Sequence, residues 1–133
     1  MSQENVEIVR RAFEAFNSED IERIVEYMHP DLEVEIPAEV SAEPDTYRGP
    51  DGMRRYFGSF QEVMDEIRFE PERLWESGDS VVVDLLMTAK GRQTSIPVEQ
   101  RSTGIWRIRD GRVLAVRVYA SQAEALAAAG LEE

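Results

Sequence analysis

His29 is the single histidine of the sequence, and it alone has an ordinary pKa near neutrality, the intrinsic property of a general acid or base. It stands directly before Pro30, and the plainer reading is a residue that ends a helix. Glu33 and Glu35 are carboxylates at i, i+2 on one face of an alternating segment, a pairing that acid–base chemistry uses. Val34 and Ile36 claim the opposite, core-facing side, so the glutamates are expected on a solvated or subunit-facing edge. Gln100, Ser102, Gly104, Trp106 and Ile108 follow one another by period two and share a strand face. They offer an amide, a hydroxyl and an indole N–H, groups that orient a ligand well but are poor acids and bases. Arg101, Thr103, Ile105 and Arg107 take the other side; the arginines along the last hairpin, Arg107, Arg109, Arg112 and Arg117, are expected in cross-strand ion pairs on a subunit-facing surface. A phosphate-binding patch would need a glycine-rich loop that the sequence lacks. With one histidine, no cysteine and no clustered ligand spacing, neither a metal nor a cofactor is expected.

Composition narrows the partners. The 133 residues carry 27 acidic and 15 basic side chains, a formal charge of −12, so phosphate backbones and anionic lipid surfaces would be repelled. No nucleic acid and no membrane is expected as a partner. Hydrophobic residues at 42% and charged residues at 32% describe a globular chain, and the length predicts one domain over residues 1–133. Without cysteine there is no disulfide framework. The amino terminus lacks the apolar core of a secretory signal, and runs such as Val81-Val82-Val83 are too short to span a bilayer. A cytoplasmic protein acting on or binding a small molecule is the expectation.

Several elements must position these groups. Val6, Val9, Phe13 and Phe16, with Ala12, form an apolar helical stripe that stops at Asn17-Ser18. Ser18 is expected to cap a second helix carrying Ile21, Ile24, Val25 and Met28, which Pro30 ends. Leu32 to Ile36 alternates as a half-buried strand, and residues 37–50 read as a loop. Gly49-Pro50-Asp51 opens a third helix with Met53, Phe57, Phe60 and Met64 on its apolar face, Tyr56 and Val63 beside them. Turn signals at Ser77-Gly78-Asp79, Lys90-Gly91-Arg92 and Asp110-Gly111 then separate strand-like runs. About four long antiparallel strands follow, with the strand of Val34 added at an edge. Ser121-Gln122-Ala123-Glu124 is a capping box before a last helix that ends at Gly130. The expected class is α+β: a curved, mostly antiparallel sheet wrapped around N-terminal helices, with a short C-terminal helix.

The order and spacing of Phe13-Glu14-Ala15-Phe16-Asn17, Asp20-Ile21, His29-Pro30-Asp31, Tyr47-Arg48-Gly49-Pro50-Asp51-Gly52, the Trp106–Val113 hairpin and Glu124-Ala125-Leu126 resemble the SnoaL-like group of the nuclear transport factor 2-like superfamily. The resemblance spans essentially the whole chain. It implies a cone whose concave sheet and helices enclose a pocket, and a homodimer made through the outer sheet face. It implies no single reaction, so function must be argued from the pocket.

Measured against relatives that do chemistry, the functional positions are apolar or small. The proton-abstracting aspartate of the isomerases matches Ile36, their oxyanion-hole residues match Ala12 and Gly104, and their supporting tyrosines match Met28 and Phe57. The aspartate–arginine–aspartate set of the epoxide hydrolases matches Leu85, Met87 and Val118, although a slip of one residue would bring Asp84 or Arg117 inward. The acidic residue that cyclases carry after a tyrosine of the last strand is replaced in Val118-Tyr119-Ala120-Ser121.

If Gly104 lies in the pocket, as the resemblance implies, then Gln100, Ser102 and Trp106 line it too, and Tyr47 and Tyr56 stand near its mouth. The expected function is binding of a small, largely apolar molecule, with none of the known catalytic sets retained. An enzyme of cyclase, isomerase or hydrolase type would have to rely on His29, Tyr47, Gln100 and Trp106, with water as the base. A third reading is an assembly module whose cone is filled by Trp75, Trp106 and Phe57.

Overall fold

The computed structural model describes residues 2–37 and 45–130. Helices α1 (Ser2–Ser18) and α2 (Ile21–Val25) are followed by strands β1 (Met28–Ile36) and β2 (Asp45–Arg48), then helix α3 (Gly49–Val63). Four long strands come next: β3 (Met64–Ser77), β4 (Ser80–Gly91), β5 (Pro97–Arg109) and β6 (Arg112–Tyr119). Helix α4 (Gln122–Ala129) follows them. All six strands join one sheet in the order β2-β1-β6-β5-β4-β3, antiparallel except where β1 runs parallel to β6. Curvature wraps its inner face around α1 and α3, and the fold is the expected α+β cone.

Four details differ from the sequence reading. β1 is not an edge strand; it lies between β2 and β6. The outermost β2 falls inside the stretch read as a loop, because Tyr47 is its one buried residue and no alternation announces it; residues 38–44 of that stretch lie outside the described residues. Met28 belongs to β1, paired with Val113, and not to the second helix, which closes at the C-cap Glu26. The cap of α2 is Asp20, whose carboxylate accepts from the amides of Glu22 and Arg23 at 3.1 and 3.4 Å, while the Ser18 hydroxyl donates back to Ala15. A carboxylate also suits the positive end of the helix dipole better than a hydroxyl.

Elsewhere local chemistry sets the geometry as its residues demand. Asp110 and Gly111 both adopt positive φ, 54° and 75°, which a two-residue hairpin turn of the primed type requires. Ser121 Oγ accepts from the Glu124 amide, and Gly130 closes α4 at φ 76°.

Side chains from both layers fill the interior. Val9, Ala12, Phe13 and Phe16 of α1, Met53 and Phe57 of α3, and Val34, Phe69, Val83, Trp106 and Val116 of the sheet are all buried. Asn17 ties α1 to the edge strand: its Nδ2 donates to the Phe69 carbonyl at 2.9 Å, and its Oδ1 accepts from the Phe69 amide at 2.7 Å. The outer face of the sheet is partly covered by the protein itself. Ala125 and Leu126 of α4 pack on Val82, with Trp75, Ile105 and Tyr119 around them.

Candidate functional site

The register of β4, β5 and β6 decides what the inside of the cone is made of. Gly104 pairs with Val83 and Val118, Ser102 with Leu85, Gln100 with Met87, and Trp106 with Val81 and Val116. Each of these pairs points its side chains inward, so the alternation read along β5 carries across the sheet. Between this face and the helices lies a cavity of about 70 Å³. Gln100, Ser102, Gly104 and Trp106 form its β5 wall; Phe13, Phe16, Met53, Tyr56 and Phe60 come from the helices, and Ile36, Phe69, Leu85, Met87 and Val118 from the other strands. Phe13, Phe16 and Trp106 are buried, while Tyr56, Phe60, Leu85, Gln100, Ser102 and Val118 are partly exposed and mark its outer end.

Four of the five residues named from sequence as pocket residues, Tyr56, Gln100, Ser102 and Trp106, therefore stand together on one wall system. Tyr47 does not line the cavity. It is 2% exposed on β2 and stacks behind Tyr56 at a ring separation of 5.0 Å, held from the outside by Arg55, whose guanidinium lies 4.2 Å from the ring. Trp75 faces the outer side beneath α4, so it does not fill the cone. Sequence reasoning missed Phe13, Phe16 and Phe69 as wall residues, having read the two helical phenylalanines only as core.

Aromatic rings dominate the inner end. Phe13 lies 4.8 Å from Trp106, and Phe16 meets the same indole edge-on at 6.4 Å, arrangements in which ring edges meet ring faces favourably. The Trp106 indole N–H has no hydrogen-bond partner among the described residues. No enclosed side-chain polar atom among them is left unpaired, so this N–H is accessible, and Trp106 lines the cavity. A Cβ built on Gly104 would stand 3.1 Å from Trp106 Nε1, which places the N–H over the bare backbone of Gly104. The Ser102 hydroxyl likewise has no partner among the described residues.

Charge is absent from the wall. Among the described residues no Asp, Glu, His, Lys or Arg lines the cavity, and the one ionisable group among them is the Tyr56 phenol. Burial, seconded by the neighbouring Tyr47, raises the Tyr56 pKa far above that of an ordinary phenol, so the group stays a neutral hydroxyl. Ile36, Gly104, Leu85, Met87 and Val118, the positions that the resemblance matched to reactive residues of catalytic relatives, all line the cavity. Asp84 and Arg117 face out: Asp84 accepts from Thr103 at 2.8 Å and from Gln122 at 2.6 Å, and Arg117 pairs with Glu35 at 3.2 Å. Glu33 pairs with Arg48 at 3.1 Å on the same outer side. His29 lies in β1 by the β5–β6 turn, its Nδ1 accepting from the Asp31 amide at 3.0 Å and its Nε2 4.0 Å from Asp110. It makes no hydrogen bond or ion pair to the cavity wall among the described residues. Among the described residues no three His, Cys, Asp or Glu side chains are grouped to hold a metal ion, and no helix is long and apolar enough to cross a membrane.

A curved six-stranded sheet wrapped around helices with an aromatic-lined pocket between them defines the class of small α+β cone proteins. The chain belongs to the SnoaL-like domain family, whose model matches residues 9–116. Solved structures agree. A nuclear transport factor 2-like protein from Burkholderia xenovorans LB400 is 27% identical, with 97% of each chain covered and a TM-score of 0.75. An epoxide hydrolase/cyclase-like enzyme of pyran ring formation in the polyether salinomycin is 25% identical over 90% of this chain and 92% of its own, TM-score 0.75. A protein of unknown function from Burkholderia pseudomallei K96243 is 22% identical over 93% and 95%, TM-score 0.77, and bears on the fold alone. No curated protein matches the chain.

Proposed function

We propose that this protein binds a small, uncharged, largely apolar molecule inside the cone and performs no acid–base chemistry on it. The observation that carries the proposal is the make-up of the wall: aromatic and aliphatic side chains, with an indole N–H, a hydroxyl and an amide as the polar groups besides a neutral phenol. Burying an ion there without a partner would cost several kcal/mol, whereas a neutral apolar body gains from every ring it covers. The enzyme reading needs a base within reach of the ligand, and His29, its best candidate, is engaged elsewhere on β1.

Size limits the ligand. Apolar cavities of about 150 Å³ take up a benzene ring, roughly twice the 70 Å³ present, so a ring-sized ligand must displace a partly exposed wall residue such as Phe60. Thermal melts with toluene, benzoate and benzylammonium test the proposal. Toluene is expected to raise Tm and the two ions are not; equal stabilisation by benzoate would overturn it.

The homodimer belongs to the same proposal. Because α4 occupies the β4–β5 part of the outer face, a second copy is left the strip of β1 and β6 that carries Glu33, Glu35, Ala115 and Arg117. Light scattering of the wild type and of Arg117→Glu tests this: a dimer that the substitution splits is expected, and a monomeric wild type would contradict it. A cysteine-free, acidic chain fits a reducing cytoplasm, which cell fractionation would check.

A further inference from the structure

Gly58 stands in the middle of α3 without a steric reason to be glycine. Its φ lies outside the left-handed region, and a Cβ built on it meets no atom of the described residues within 4 Å. Glycine weakens a helix interior because it gains the most freedom when the helix opens, so flexibility is what it adds here. Ser59 follows it, and the Ser59 hydroxyl donates to the Tyr56 carbonyl at 2.6 Å. A serine bonded back to the preceding turn bends helices, and Gly/Ser pairs are common kink points.

The helix divides at this pair. Gly52, Met53 and Phe57, the buried residues of α3, all precede Gly58. Beyond it Phe60 and Gln61 are partly exposed, Glu62 is exposed and Val63 is 58% exposed. Peripheral bonds tie this last turn to the body: Gln61 Nε2 donates to the Glu19 carbonyl at 3.1 Å, and the Val63 carbonyl accepts from the Arg92 amide at 2.8 Å. Phe60 is the ring that the turn sets against the cavity, edge-on to Tyr56 at 5.1 Å. The cavity is too small for a ring-sized ligand, so part of its wall must yield. Leu85, Gln100, Ser102 and Val118, also partly exposed there, are held in paired strands, and Tyr56 precedes the hinge.

We infer that residues 59–63 are a hinged gate: bending at Gly58-Ser59 carries Phe60 off the cavity and admits the ligand. The inference rests on the cavity reading above.

Gly58→Ala tests it, since the added methyl meets nothing and stiffens the helix. Toluene binding is followed through NMR line shapes of the Trp106 indole N–H, assigned with Trp75→Phe, which give association and dissociation rates. Gly58→Ala is expected to slow association about fourfold to fivefold, the Gly-to-Ala difference in helix propensity. Phe60→Ala is expected to speed association and to remove the sensitivity to Gly58→Ala; Phe60→Leu replaces it should the truncation unfold the protein. An association rate that Gly58→Ala leaves unchanged, or slows equally in the Phe60→Ala background, would overturn the gate and leave the cavity standing. So would toluene binding confined to Phe60→Ala. Toluene binding to neither the wild type nor the Phe60 variants would overturn the cavity reading and the gate with it.

Discussion

Asp84 and Leu85 are neighbours on β4 with opposite surroundings: the Asp84 carboxylate accepts from its cross-strand partner Thr103 on the outer face, while Leu85 pairs with Ser102 and lines the cavity. That one-residue alternation keeps a carboxylate out of the cone. It also anchors α4, because Gln122, the first residue of that helix, donates to the other Asp84 oxygen. Replacing Asp84 with alanine leaves the Thr103 hydroxyl, 3% exposed, unpaired and releases α4. A loss of ~2 kcal/mol is expected, with faster amide exchange in α4 than in α1. Urea melts and hydrogen exchange check it, and Asp84→Asn should recover part of the loss.

Asn17 makes a second prediction. Its amide pairs with both backbone groups of Phe69 and so stands where a further strand would otherwise pair with the sheet edge. Asn17→Ala is expected to cost ~2 kcal/mol, and Asn17→Asp nearly as much because it loses the donor. Chemical denaturation measures both.

A third concerns alkaline pH. Burial raises the Tyr56 pKa in the folded protein above the value of 10.0 of a free phenol. The folded state thus holds the proton that the unfolded state gives up as pH rises past about 10, and stability falls from there upward. Below that point the group is protonated in both states and contributes no slope. Tyr56→Phe should flatten the dependence of Tm on pH between about 9 and 11 without changing its shape near neutrality. An unchanged alkaline slope would contradict the burial of this phenol.

A fourth follows from the space over Gly104. A Cβ there would approach Trp106 Nε1 to 3.1 Å and cover the N–H. Gly104→Ala is expected to lower ligand affinity at least threefold while costing ~1 kcal/mol of stability, an ordinary overpacking penalty. Calorimetric titration and thermal melts separate the two effects.

The sequence pattern carried far where it was local and periodic. The β5 face of Gln100, Ser102 and Trp106 was readable because strand alternation is strict, and the Asp110-Gly111 turn fixed where β5 folds back on β6. Asp45–Arg48 was unreadable as a strand because a four-residue edge with one buried side chain has no period to detect. Met28 shows the converse: its spacing fits a helix, yet long-range pairing with Val113 and the β6 backbone takes it into β1. The placing of Val34's strand between β2 and β6, and not at an edge, likewise depends on residues far along the chain, such as its partner Val116. Cavity volume was beyond reach for the same reason, since it is set by how Phe13, Phe16 and Phe69 from distant segments meet Trp106.

The most direct test of the central claim, that the cone is an uncharged ligand pocket, is a crystal structure of protein purified without added ligand and then exposed to toluene. The account predicts density enclosed by Phe13, Phe16 and Trp106 and no carboxylate in the wall. Density confined to the outer face of the sheet, or the Glu35 or Asp84 carboxylate turned into the cone, would contradict it.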